Sequence, residues 1–128
     1  MILLLAALAI LQAPGDTALA SFVARARAGT EALRHPDGAR LAGYHPVGPD
    51  FPGMGRHWIH TSLILRTAPD PSQPPVLEYA ELNGTTTLVG VAYAVLVNGD
   101  TAPALLPVPA ISIRGRSTKR VFCAVTPA

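Results

Sequence analysis

Three of the chain's four histidines and its only tryptophan fall between Gly43 and Leu65, in GYHPVGPDFPGMGRHWIHTSLIL. Imidazole is a good ligand for zinc, copper, iron or nickel. His57 and His60, in an H-x-x-H spacing, are therefore the first candidates for sharing a metal ion. On a helix or a turn that spacing puts both rings on one side. In a regular strand, residues three apart point to opposite faces, so the pair chelates only if a strand starts after His57 or carries a bulge. Two imidazoles do not complete a site, and His45, Asp50, Glu78 and Glu81 are the local options for a third donor. The candidate ligands are His57, His60 and His45, and the candidate cofactor is a divalent transition metal (Zn, Cu or Fe). Histidines that hydrogen-bond at the surface without metal remain the alternative.

Other chemistry is weaker in this sequence. Ser62 follows His60 too closely to make a triad by spacing, and no G-x-S-x-G occurs. GMG at 53–55 lacks the strand-to-helix setting of a nucleotide-binding loop. Asp50, Asp70, Glu78 and Glu81 are acids that no spacing pairs. The single cysteine, Cys123, can form neither an internal disulfide nor a zinc–thiolate cluster. Trp58 and Tyr93 are expected to fill a core rather than stack on a ligand. No reaction is assigned, and whether the chain is an enzyme stays open.

These residues have to be positioned by a small scaffold, since 128 residues make one domain at most. Asp16 is expected to cap a helix running to about His35. Leu19, Phe22, Val23, Ala26, Thr30 and Leu33 recur on one face of it, and His35-Pro36 ends it. A short helical turn is expected over 38–42. Prolines 46, 49 and 52 interleave with glycines 43, 48, 53 and 55, which predicts a stiff loop over 43–56. His57 to Arg66 then reads as a strand. After a proline-rich crossing at 67–75, strands over 76–82 and 85–97 flank Asn83-Gly84, a two-residue type I′ hairpin signal. Asn98-Gly99-Asp100 is a further turn, and Pro103, Pro107 and Pro109 argue against a central strand beyond it. The fold class expected is α+β, with an N-terminal amphipathic helix packed on a small antiparallel sheet around a central β-hairpin.

Residues 2–11, ILLLAALAIL, are too short for an ordinary membrane span and read as the core of a secretory signal. No Lys or Arg precedes them, and the cleavage site is ambiguous. A buried N-terminal helix is the other reading of this run. Export is expected, to the periplasm or the exterior, with the segment either cleaved or left as a tether; no other membrane contact is expected. The formal charge is +2, yet Arg114, Arg116, Lys119 and Arg120 supply four of the ten basic residues. The remainder is near neutral, so no nucleic-acid footprint exists. The expected organisation is an apolar segment 1–13, one domain 14–109, and an atypical basic tail 110–128.

The segments DFPGMGRHWIH (50–60), PPVLEY (74–79) and LVGVAY (88–93) resemble a family of uncharacterised exported bacterial proteins with PGMGxHW, PxVLxY and LVGVxY segments. The resemblance spans about residues 15–100. It implies a metal site in which His57 matches the PGMGxHW histidine and a W-H-x-H type segment follows the second strand. A glutamate of some members stands where this chain has Ala92. The tail ISIRGRSTKRVFCAVTPA departs from that pattern. Regrouping the degenerate codons of Ala110 to Cys123 permits His-Leu-His-Ser-Gly, so a shift of reading frame is expected to have replaced the C-terminus. The functional expectation is thus an exported small protein, metal-binding through the His57 region. The alternatives are a metal-free exported binding or structural domain, with the Pro/Gly stretch and Trp58 lining a cavity, or a truncated product without function.

Overall fold

The computed structural model describes residues 14–53, 55–66, 68–98, 111–113 and 119–127, with side chains between 17 and 94. The expected apolar segment 1–13, the turn after Asn98 and the proline-broken stretch 103–109 lie outside the described residues. The elements run α1 (Pro14–Thr30), a 3-10 turn (Glu31–Leu33), α2 (Pro36–Leu41), β1 (His45–Phe51), β2 (Gly55–Ile59), α3 (Thr61–Ile64), β3 (Val76–Leu82), β4 (Thr85–Asn98), β5 (Ile111–Ile113) and β6 (Lys119–Pro127). The strands form one antiparallel sheet in the order β1-β2-β3-β4-β6-β5. The α+β architecture with a central hairpin is as the sequence predicts.

The helix starts three residues earlier than expected, so Asp16 lies inside α1 and is not its cap. Pro14 takes the first helical position, where a fixed φ and a missing N–H cost nothing. Phe22, Ala26, Thr30 and Leu33 are buried as the periodicity predicts. Thr30 satisfies its buried hydroxyl by donating to the Ala26 carbonyl at 2.8 Å. Asn83 and Gly84 have φ of 52° and 78°, the paired positive values that a type I′ turn needs.

Two expectations are corrected. Residues 43–56 are not a loop, because His45–Phe51 is a strand. It lies at the edge of the sheet, where a proline's missing N–H can face away from the ladder, and Gly48 at φ 66° absorbs an irregular register between Val47 and Phe51. Nor does a strand run from His57 to Arg66. It covers Gly55–Ile59, and Thr61–Ile64 is a helical turn. There the Leu63 and Ile64 amides both donate to the His60 carbonyl. A short apolar run such as SLIL carries no period that separates the two structures.

One face of the sheet packs against the helices. Phe22 meets Tyr93 edge to face at 5.0 Å, and Trp58 meets Tyr79 likewise at 5.4 Å. Phe22, Leu33, Ala39, Tyr44, Trp58, Leu77, Tyr79, Val91 and Tyr93 form one core, so Trp58 and Tyr93 are core residues as expected. Tyrosine hydroxyls tie this core to the backbone around it. Tyr44 donates to the Pro74 carbonyl at 2.7 Å, Tyr93 to that of Pro71 at 2.5 Å, and Tyr79 to that of Leu33. The crossing segment is also pinned to α1. The Arg25–Asp70 ion pair measures 3.1 Å, and a Cβ on Gly29 would stand 2.0 Å from the Ser72 carbonyl oxygen, so only glycine permits this approach.

Candidate functional site

Register places the histidines. His57 on β2 is opposite Val47 on β1 and Glu78 on β3, so all three share the face away from the helices. His45, two residues from Val47 along β1, has the same parity and is exposed. His60 has Trp58's parity and turns to the helical side. Its ring meets Tyr44 edge to face at 5.1 Å, and its Nδ1 lies 3.1 Å from the Ser62 hydroxyl. No bulge interrupts β2 at His57, so the H-x-x-H pair does not converge. Ser62 and His60 are in contact, but no carboxylate orients the imidazole, which leaves a local hydrogen bond and no triad.

The partner that His57 does meet is Glu78. His57 Nε2 and Glu78 Oε1 are 3.6 Å apart, with the side chains 26% and 14% exposed. Among the described residues the Glu78 carboxylate makes no hydrogen bond, and His57 is its one ion-pair neighbour. Phe51 closes over His57 edge to face at 5.7 Å. Glu78 fits because Gly90 is opposite it: a Cβ there would stand 2.5 Å from Glu78 Oε2. Beside this rung β4 carries a bulge, with Gly90 paired to Glu78, Leu88 paired to Tyr79, and Val89 extra between them. Among the described residues no group of three or more His, Cys, Asp or Glu gathers to hold a metal. His57, Glu78 and His45 share a face without forming a complete donor set.

The other feature lies on the helical face. A concavity of about 710 Å³ opens at the end of the sheet, between the β1–β2 turn, the tip of the β3–β4 hairpin and α2. Its size lies within the usual range for small-molecule sites, about 300–1,000 Å³. Trp58 and Tyr79, 4% and 1% exposed, lie beneath it, while Asp50, Phe51 and Gly53 border one side and Glu81, Leu82 and Thr86 the other. Arg40 reaches in from α2, its guanidinium 5.2 Å from the centre of the Trp58 ring. Phe51 and Leu82, left 41% and 50% exposed, border it, and by strand parity their side chains lean toward the face of His57 and Glu78. The sequence singled out Trp58 and the Pro/Gly stretch but missed Arg40, Arg56 and Thr86. Arg56 alone left a signal, since it alternates with Trp58 on one strand face. The approach of Arg40 depends on how α2 docks, which no spacing encodes.

If Glu78 is held over Gly90, the two positions must be energetically coupled. Gly90→Ala should displace the Glu78 carboxylate and destabilise the fold by up to about 1 kcal/mol. In a Glu78→Ala background the same change should cost much less, giving a coupling of about 0.5–1 kcal/mol in urea unfolding. Strictly additive costs would contradict this placement.

Comparison with known proteins adds no relative: no family model, no curated protein and no solved structure matches the chain.

Proposed function

We propose that the chain is a small exported binding domain whose ligand site is the concavity over Trp58. The observation that carries this reading is a 710 Å³ pocket bordered by the two hairpin ends and α2, with Arg40 reaching in over the Trp58 ring. The proline- and glycine-bearing β1–β2 segment supplies one wall with little chain entropy left to lose, which favours a preformed site. Export follows the signal-like N-terminal segment. Among the described residues no helix is long and apolar enough to cross a membrane. A saturation-transfer NMR screen of small fragments tests the reading. Some should bind the full chain and lose binding in Thr86→Phe, which fills the exposed wall and should leave the melting temperature within a few degrees. Fragments that bind Thr86→Phe equally well would place the binding elsewhere.

The His57–Glu78 pair favours a second reading, metal binding through the His57 region. An imidazole beside a largely buried carboxylate without hydrogen bonds makes two donors for Zn, Cu or Fe, with His45 on the same face as the nearest third. His60, on the opposite face, is not part of this set. Titration with zinc, copper or ferrous iron should then show saturable binding that His57→Ala and Glu78→Ala both abolish and His60→Ala leaves intact. No saturable binding, or binding indifferent to His57→Ala, would exclude it.

A further inference from the structure

Within the pocket the charged groups are not equivalent. Asp50, Glu81 and Arg56 are exposed at its rim and have no ion-pair partner among the described residues. Arg40 is held in place. Its Nη1 donates to Asp37 at 2.6 Å, and its guanidinium lies against the Trp58 ring. A guanidinium has five N–H donors in a planar fork. The remaining Arg40 donors have no partner among the described residues, and the side chain is 61% open to solvent. A cation fixed by stacking, with donors to spare, is a preorganised receptor for a planar anion. Beside it the partly exposed Pro36 and Val89 of the lining provide apolar surface.

We propose that the pocket binds small organic monocarboxylates with an apolar body, the carboxylate on Arg40 and the body against the Pro36 and Val89 lining beside it. This inference rests on the reading of the concavity as a ligand site. Asp50 and Glu81 at the rim disfavour ligands with a second negative charge, which confines the class to single carboxylates. Arg56, on the same face as Trp58, gives the anion a second, looser cation.

Trp58 is the chain's only tryptophan, so its fluorescence reports the pocket without labelling. The test titrates the full 128-residue chain with octanoate, octylammonium and octanol, which share one apolar body and differ in the head group. Octanoate should give a saturable change in Trp58 fluorescence, with the other two at least about tenfold weaker, the scale of a charge-assisted hydrogen bond. Arg40→Gln should weaken octanoate about tenfold or more, and Arg40→Lys, keeping the charge without the fork, by less. Both variants are at an exposed position, and unchanged melting would show that the fold is intact. Equal binding of all three probes, or octanoate binding unchanged in Arg40→Gln, would overturn the carboxylate assignment and leave the ligand site standing. No saturable response to any of the three would remove both.

Discussion

All three tyrosines of the chain bury their rings and donate their hydroxyls to backbone carbonyls, and the arrangement of the molecule depends on these bonds. Tyr44 and Tyr93 hold the crossing segment at Pro74 and Pro71, and Tyr79 holds the 3-10 turn at Leu33. Tyr79 and Tyr93 start from β3 and β4 and Tyr44 from the residue before β1, and their hydroxyls reach the chain that covers the sheet. A small domain has little apolar area to bury, so a carbonyl left unpaired in this interface would cost about 1–3 kcal/mol. The α1–α2 junction is fixed in the same way from β4, where the Leu88 amide donates to the Arg34 carbonyl at 2.9 Å. That amide is next to the bulge at Val89, so one irregularity in the sheet both anchors the helices and sets Gly90 opposite Glu78.

With the helical layer fixed, the two faces of the sheet acquire different chemistry. On the covered face, α2 places Arg40 over Trp58 and leaves a concavity where the two hairpin ends extend past the helices. On the opposite face, strand pairing gathers Val47, His57, Glu78 and Gly90 into one row. His57 and His60, which look like one motif in sequence, serve different faces. Alternation along β2 is enough to separate them.

Much of this was legible in the sequence, for reasons that can be given residue by residue. The Asn83-Gly84 turn specifies its own backbone, and the period of Phe22, Ala26, Thr30 and Leu33 names the buried side of α1. The alternation rule also anticipated that H-x-x-H would fail as a chelate in an unbroken strand. What stayed hidden was decided by non-local pairing. Pro46 and Pro49 read as loop because their tolerance in a strand depends on lying at the sheet edge, a property of the neighbours. The Glu78–His57 contact requires the β2–β3 register, 21 residues apart in sequence, and the space for it requires Gly90 on a third strand. The pocket depends on α2 meeting the sheet, so Arg40 carried no signal of its own.

The most direct test of the account is an alkaline titration following tyrosinate absorbance together with far-ultraviolet circular dichroism. Burial pushes the Tyr44 and Tyr79 hydroxyls up from the ordinary value of 10 to about 12, and Tyr93 higher still. A folded-state value raised above the unfolded one means that the tyrosines' contribution to stability is complete below about pH 10. It is lost as the pH rises through 10 toward the folded values. The account predicts no tyrosinate at pH 10 while the fold is intact, and then one steep step in which absorbance and dichroism change together. A gradual titration centred near pH 10 with the dichroism unchanged would contradict it, because the hydroxyls would then be open to water and tie nothing.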